Sequence, residues 1–354
     1  MPSPAPAAES AVPPAPPSPE APRLDAAGPG EEARRLQTEP IARALGRHAE
    51  GPGEIPWRGW KAVLKRVSIE MLTDRVSLVA AGCAFYATLA LFPALSMLIS
   101  VYGLWFDPVT VEPQLEAIRN FLPPSAYDLI TERVHQIVSK PKESLGIGLL
   151  VSVALTLWTS TTGVKSVLGA LNLAYEERET RSFLIYQITA FTMTLCAIMG
   201  AVTGLAIMVG LPAVLAFVGL TAYQAALVRL ASFAGLLGFV MFWLSLLYRY
   251  GPARRPAKWH WVTPGSLVAT ALWLAASALF SYYVARFATY DATYGPLGTV
   301  VGVMMWFFVT AYVVLLGAEL NAELELQTAR DSTEGPPKPM GARGAYVADH
   351  VAED

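Results

Sequence analysis

The feature that most constrains this chain is a run of 27 uncharged residues from Ala292 to Ala318. An α-helix rises about 1.5 Å per residue, so about 20 apolar residues cross a hydrocarbon core about 30 Å thick. A helix that is apolar on every side over this length is typical of a membrane span. Polar residues follow the run at Glu319, Asn321, Glu323 and Glu325. The run therefore predicts a transmembrane helix that ends in carboxylates.

The composition places the rest of the chain in the same class. The 354 residues are 54% hydrophobic and 15% charged, whereas a typical soluble domain has about 25% charged residues. A formal net charge of −2 excludes the excess of lysine and arginine that a nucleic-acid surface needs. Cys83 and Cys196 lie in apolar runs, so we expect no disulfide framework, metal site or cofactor.

Two polar tails flank the apolar part of the chain. Residues 1–55 are rich in proline and alanine, and 13 of the 27 prolines occur by position 56. Such a segment cannot form a core, so we expect a disordered tail there, and also at residues 328–354. The first 25 residues lack the apolar centre of a signal peptide, so insertion is expected to begin with the first span. Residues 56–327 form the predicted membrane domain.

The membrane domain divides into six predicted spans, which makes the fold all-α and polytopic. The first has 31 uncharged residues and contains Pro93, which predicts a kink. The connector at residues 211–222 is either interfacial or re-entrant. The six spans are Val76–Phe106, Leu145–Val164, Phe183–Gly210, Tyr223–Tyr248, Thr263–Arg286 and the run that ends at Ala318.

Short amphipathic helices are expected beside these spans. Apolar residues recur every three or four positions between Trp57 and Val76, so this segment either lies in the headgroup region or packs on the bundle. Two further short helices are predicted between Asp107 and Glu143. The Thr/Ser run after Trp158 either lines a cavity or packs against another helix.

The distribution of lysine and arginine predicts the orientation. Basic clusters precede the first span and follow the second and fourth, whereas the loops after the third and fifth spans carry almost none. This alternation indicates six spans with both termini in the cytoplasm. The ends of spans two, four and six then share one side. We expect Glu319 to pair with Lys165 or Arg249; the alternative is that these charges extend separately to the interface.

Four stretches together resemble the YihY/BrkB family of bacterial inner-membrane proteins. The resemblance covers about residues 57–327, and Pro296 stands where the family more often has serine. It implies a six-helix protein of the bacterial inner membrane and brings no settled activity, because the family has carried both ribonuclease and virulence-factor labels. The stretches are Ala80–Tyr86 with Phe92-Pro93, Leu157–Tyr175, Tyr248–Pro252, and Tyr294–Gly298 with Gly317–Leu324.

These motifs and the charges at the membrane edge supply the candidate residues for a transport pathway or a structural motif. Gly298 and Gly302 also have the spacing of a helix-packing motif, within one chain or between two chains of a homo-oligomer. The candidates are Tyr86, Pro93, Trp158, Lys165, Asn172, Arg249, Tyr294, Gly295, Gly298, Glu319, Asn321 and Glu323.

Two classes of function fit the sequence. The first is a transporter or flippase for a small-molecule or lipid substrate, because polar and ionisable groups within spans mark such pathways. The second is a scaffold that organises partners or the envelope. Membrane lipids are the expected partners in both cases, and nucleic acid is not. An enzyme, including a ribonuclease, is not expected, because the four histidines are scattered and no catalytic pair can be assigned.

Overall fold

The computed structural model describes residues 40–105, 131–132, 142–205, 222–287 and 296–352. Their regular secondary structure is helical, and Ala257 and Thr333 form an isolated β-bridge. The all-α prediction is confirmed over this part of the chain. Residues 40–45 are helical, and Pro52–Glu54 form a short 3-10 helix. The α-helices that follow are α1 (Trp57–Thr73), α2 (Val76–Trp105), α3 (Lys142–Ala174), α4 (Phe183–Leu205), α5 (Ala222–Tyr250), α6 (Trp259–Phe287), α7 (Pro296–Leu326) and α8 (Tyr346–Asp349).

Five of these helices are long and apolar enough to cross a membrane. The predicted second span corresponds to α3, a helix of 33 residues that is not among the five. A helical membrane domain is therefore confirmed, whereas the count of six spans stays a prediction. The five segments are Val76–Ala94, Phe183–Gly200, Ala226–Tyr250, Trp259–Val284 and Val300–Leu326.

Helix α7 lies at the centre of the packing and contacts α1, α2, α3, α6 and α8. Helix α2 packs along α3 and α7 through small residues, of which Ala80, Ala84 and Thr88 are buried. Small side chains let helices approach closely. The resulting van der Waals contacts hold the helices together, because the hydrophobic effect does not drive helix association within lipid. In the same way Gly200 of α4 faces Trp243 of α5, where an added Cβ would lie 3.1 Å from the indole.

Helices α6 and α7 make their closest approach at two glycines. A Cβ on Gly265 would lie 2.1 Å from the carbonyl oxygen of Gly317, and a Cβ on Gly317 would lie 2.8 Å from the carbonyl oxygen of Gly265. A Cβ on Gly302 would meet nothing within 4 Å in the part of the chain that is described. The tight crossing therefore uses Gly265 and Gly317 rather than the predicted glycine pair at the start of α7.

Helix α1 has both of the characters that its sequence left open. Val63, Val67 and Met71 are buried, and the helix packs against α2 and α7. Trp57, Leu64 and other apolar residues of α1 are exposed. One face is therefore part of the bundle, while the other has the apolar side chains expected of a helix at the membrane surface.

The C-terminal segment differs from its prediction. Residues 328–352 have a defined path over the end of the bundle, where Thr328 and Val347 are fully buried. The prediction of a disordered tail was wrong there because polar side chains satisfy the backbone: Arg343 donates to the carbonyls of Ala329 and Ala348, for example. This polar segment is therefore ordered by hydrogen bonds and by packing on the bundle, without a large apolar core of its own.

Several predicted features fall on residues that the structure does not describe. They are residues 1–39 of the N-terminal tail, most of the loop at 107–143, most of the connector at 211–222, and the Tyr294-Gly295 turn.

Pro93, where the sequence predicts a kink, is among the described residues. It lies inside helix α2, which is continuous from Val76 to Trp105.

Candidate functional site

The polar residues at the end of α7 point to two different sides of the helix. Residues four positions apart share a face of an α-helix, whereas residues two apart lie on nearly opposite faces. Glu319 and Glu323 therefore share one face, toward α1. Asn321 and Glu325 share the other, where Asn321 contacts α6 and Glu325 contacts the loop between α5 and α6. We call this region of the bundle the polar end.

Glu323 forms an ion pair with a residue of α1. The Nε atom of Arg66 lies 2.5 Å from Oε2 of Glu323, and Nη2 of Arg66 also donates to Oε1 of Gln327 over 2.7 Å. Both side chains of the ion pair are largely buried. The charge of Glu323 is thus neutralised between α1 and α7.

Glu319 has a very different environment one turn earlier. It is 2% exposed, and its Oε1 atom is buried without a hydrogen-bond partner. The charged groups that act on it most strongly are other carboxyls, those of Asp74, Glu323, Glu70 and Glu176. The predicted pairing of Glu319 with Lys165 or Arg249 is wrong, because Arg249 pairs elsewhere and no ion pair joins Lys165 to Glu319.

Asp74, which lies between α1 and α2, belongs to the same group of acids. Burial, with the neighbouring carboxylates of Glu70 and Glu176, raises the pKa of Asp74 from 3.8 to about 6. Desolvation and like charges both disfavour an ionised carboxylate. On the side of α1 and α2, Glu319 therefore lies near the carboxyls of Asp74 and Glu70, while Arg66 of α1 is paired with Glu323.

On the opposite face of α7, Glu325 forms a buried bidentate ion pair with Arg254. The two Nη atoms of Arg254 lie 3.0 and 2.7 Å from the carboxylate oxygens, and neither side chain is exposed. Ser332 donates to Oε2 of Glu325 over 2.6 Å, and the guanidinium lies over the ring of Tyr175. This pair fixes the α5–α6 loop and the C-terminal segment to α7.

Asn321 satisfies the backbone of α6 beside Pro264. Its Oδ1 atom accepts from the amide of Gly265 at 2.7 Å, and its Nδ2 atom donates to the carbonyl of Val262 at 3.1 Å. A proline within a helix lacks one N–H donor and distorts the adjacent turn, so side-chain hydrogen bonds to the neighbouring backbone stabilise the helix there. Asn321 therefore has a structural role at the α6–α7 crossing.

Asn172 and Arg249 also make structural contacts at the polar end. Oδ1 of Asn172 accepts from the amide of Ala253 at 2.7 Å, and Nδ2 donates to Glu179 at 3.0 Å. Arg249 is buried, donates to the carbonyl of Ala257 and pairs with Glu334. Its guanidinium also lies 4.6 Å from the ring centre of Trp259.

The other candidates lie away from this group. Trp158 is 76% exposed and points out of the bundle, and Tyr86 lies opposite Gly163. In the Thr/Ser run, Thr159 donates to its own helix at Leu155, and Thr161 accepts from Thr194 of α4 at 3.4 Å, so these contacts fit helix packing. Gly298 lies in the first turn of α7. The structure brings together Asn172, Arg249, Glu319, Asn321 and Glu323.

Sequence reasoning missed three residues that stabilise this end, namely Arg66, Arg254 and Glu325. Arg66 and Arg254 contributed only to the charge count that gave the orientation. The spacing of the acids held a usable signal, because it divides them between two faces that each need a basic partner. Among the described residues, no group of three or more His, Cys, Asp or Glu side chains is placed to hold a metal ion.

Five apolar helices of spanning length, with α7 at the centre of the packing and ion pairs at one end, define a helical integral membrane protein. The family model described as "Virulence factor BrkB" matches residues 67–341. The chain belongs to this family, and the resemblance to YihY/BrkB proteins is confirmed.

The relatives are bacterial proteins. The chain is 30% identical over 261 residues to the ribonuclease-like protein YfkH of Bacillus subtilis, which covers 69% of this chain and 88% of the relative. It is 24% identical to a UPF0761 membrane protein of Pseudoalteromonas translucida over 74% of this chain and 86% of the relative. A UPF0761 membrane protein of Haemophilus influenzae is 27% identical to the chain, and the match covers 69% of this chain and 88% of the relative. No solved structure matches the chain.

Proposed function

We propose that the protein is a transporter or flippase-like protein for a small-molecule or lipid substrate, and that Glu319 belongs to its transport site. The observation that carries the proposal is the buried carboxyl of Glu319, which has no partner at Oε1 and lies at the end of an apolar helix. Ionisable groups within membrane spans are costly, and they commonly mark substrate or ion pathways.

The two neighbouring acids of α7 differ from Glu319 in having basic partners. Glu323 and Glu325 lie on the same helix, and each has a buried arginine partner and further hydrogen bonds. Those two acids are explained by structure alone, because they join α7 to α1 and to the α5–α6 loop. Glu319 makes no such pair, so its desolvated position supports a role in binding a cation or a positively charged group of a substrate.

The test is native mass spectrometry of the protein extracted with its own lipids, with wild type compared with Glu319→Gln. The change keeps the size of the side chain and removes its charge. We expect a bound species of defined mass in the wild type that is lost in Glu319→Gln. The control is Glu54→Gln, which changes an exposed carboxyl and keeps an oxygen that can accept the Glu50 amide.

An unselective lipid profile that is the same in all three proteins would contradict a transport site at Glu319. That result would favour the alternative function, a scaffold that organises partners or the envelope. Loss of the bound species in Glu54→Gln as well would also count against the site, because it would show an effect of charge in general.

A further inference from the structure

A second polar feature lies where the loop between α5 and α6 meets the C-terminal segment. An open recess of about 450 Å³ is lined by four arginines, Arg181, Arg249, Arg254 and Arg255, together with Tyr250 and other residues of the loop. This volume lies within the range of small-molecule sites. The recess is separate from the carboxyl group of Glu319.

Three of the four arginines have a carboxylate partner. Arg181 pairs with Glu179, Arg249 with Glu334 and Arg254 with Glu325. Arg255 has no acidic partner among the described residues, and its Nη1 atom is buried without an acceptor. The side chains of Arg249 and Arg254 are almost completely buried, so these two arginines contribute mainly to the wall of the recess. The residues that line the recess thus include four arginines and no acidic residue, and Arg255 is the one of the four without an ion pair among the described residues.

The C-terminal segment holds Arg255 in place without neutralising it. The amide of Arg255 donates to the carbonyl of Gly344 at 2.9 Å. Gly335 has a φ of +93°, and a Cβ there would lie 2.6 Å from Nη2 of Arg255, so the backbone passes closely over the guanidinium. The positive φ favours glycine at this position. The contacts fix the position of Arg255 and supply no counter-charge.

The recess also lies between the ends of two candidate membrane spans. One candidate span ends at Tyr250, and the next begins at Trp259. Both aromatic side chains are more than one-third exposed. Tyrosine and tryptophan are enriched where the hydrocarbon core meets the headgroups. An anionic headgroup would reach this recess without leaving that layer.

We propose that this recess binds a phosphate group, with Arg255 as the residue that gives it affinity. Arginine presents several donors in a plane that matches phosphate oxygens, and an arginine without a counterion loses no ion pair when the anion arrives. The phosphate can come from a phospholipid headgroup or from a soluble phosphate compound. Both sources share the chemistry that the recess recognises.

The experiment measures binding to the full chain in detergent at constant ionic strength. One arm titrates inorganic phosphate and pyrophosphate by calorimetry, and the other compares phosphatidic acid with phosphatidylcholine of the same acyl chains by native mass spectrometry. We expect Arg255→Gln to weaken binding of the active probe by at least about tenfold, in line with the loss of a charge-assisted hydrogen bond. The matched control is Arg178→Gln, which removes an exposed arginine outside the recess, and it should stay within about twofold of wild type.

The two arms distinguish the sources of phosphate. Binding of phosphatidic acid alone identifies a lipid headgroup as the ligand, whereas binding of pyrophosphate or phosphate shows that a soluble anion suffices. If wild type binds none of these probes, or if Arg255→Gln and Arg178→Gln behave alike, the proposal is wrong. If Arg255→Gln fails to fold, Arg255→Lys is used in the same experiment. It keeps the positive charge but lacks the planar set of donors, so it should bind the probe more weakly than wild type does.

Discussion

Glu319, Glu323 and Glu325 lie within seven residues of α7, and each has a different electrostatic environment. Glu323 meets Arg66, Glu325 meets Arg254, and Glu319 meets mainly other acids. Removing one member of a buried ion pair leaves an uncompensated charge, which is strongly destabilising. At Glu319 no such pair exists, so neutralising it should be tolerated by the fold. A functional defect in Glu319→Gln can therefore be separated from unfolding.

Asp74 gives a prediction of pH dependence at this scale. Its folded-state pKa is raised to about 6, so the folded protein holds a proton that the unfolded chain releases between about pH 4 and 6. Stability therefore falls as the pH rises through this window. Asp74→Asn should unfold at a higher temperature than wild type above pH 6 and at the same temperature near pH 4. The gain should stay below about 1 kcal/mol, because solvent screens this partly exposed group.

Asp349 serves as a control of opposite sign. Burial acts to raise the pKa of Asp349, but the amides of Arg343, Gly341 and Gly344 outweigh it and hold this pKa below its usual value. Its contribution to stability is therefore present at neutral pH and is lost as the pH falls through the folded-state pKa. Asp349→Asn should lower the unfolding temperature at pH 7. Equal behaviour of the two variants across the pH range would contradict the assignment for Asp74.

At the scale of elements, the helices themselves could be predicted, and several of their partners could not. Long uncharged runs fix where a membrane helix lies, and α2 and α7 were located in this way. The ion-pair partner of a charged side chain depends on which helices pack together. The position of an uncharged run in the sequence does not show which helices those are. Arg249 and Glu319 were expected to pair because both lie near helix ends, but the loop after α5 turns Arg249 toward Glu334. The Gly298–Gly302 spacing likewise did not reveal the Gly265–Gly317 crossing, whose two glycines are on different helices.

That crossing supports a prediction with an internal control. Gly317→Ala places a methyl group 2.5 Å from the hydroxyl oxygen of Tyr248 and 2.8 Å from Cβ of Ala269, and overpacking of this kind typically costs about 1–3 kcal/mol. Gly302→Ala adds the same methyl group in open space on the same helix, and it should be neutral or slightly stabilising. Thermal unfolding in one detergent compares the two. A loss of stability in Gly302→Ala as large as in Gly317→Ala would contradict the crossing.

At the scale of the whole molecule, the C-terminal segment acts as a folded part of the bundle. Val347 belongs to the buried core, and Ser332 completes the hydrogen bonding of Glu325. The segment contributes Glu334 to the buried Arg249 as well. The polar end is therefore assembled from residues at both extremes of the membrane domain and from the segment that follows it.

Arg343 gives the prediction for this segment. Its guanidinium is almost fully buried and donates to backbone carbonyls that include those of Ala329, Ala348 and Lys338. Arg343→Ala leaves these acceptors unpaired, so hydrogen exchange of residues 328–352 should accelerate by at least about tenfold, since one hydrogen bond to a charged group is worth about 1.5–3 kcal/mol. Arg330→Ala removes an exposed side chain of the same segment and should leave exchange unchanged. Equal exchange in the two variants would show that Arg343 does not hold the segment.

The ion pair between Arg66 and Glu323 has a consequence for synthesis on the ribosome. Its partners are 257 residues apart in the chain. At a synthesis rate of about 5–20 residues per second, Glu323 is added roughly 13 to 51 s after Arg66. During that interval the inner face of α1 and the small-residue face of α2 lack the helix that covers them. Membrane quality-control proteases and insertion chaperones therefore meet an incompletely packed protein for tens of seconds, and substitutions in α7 should reduce its yield before they reduce the stability of the finished molecule.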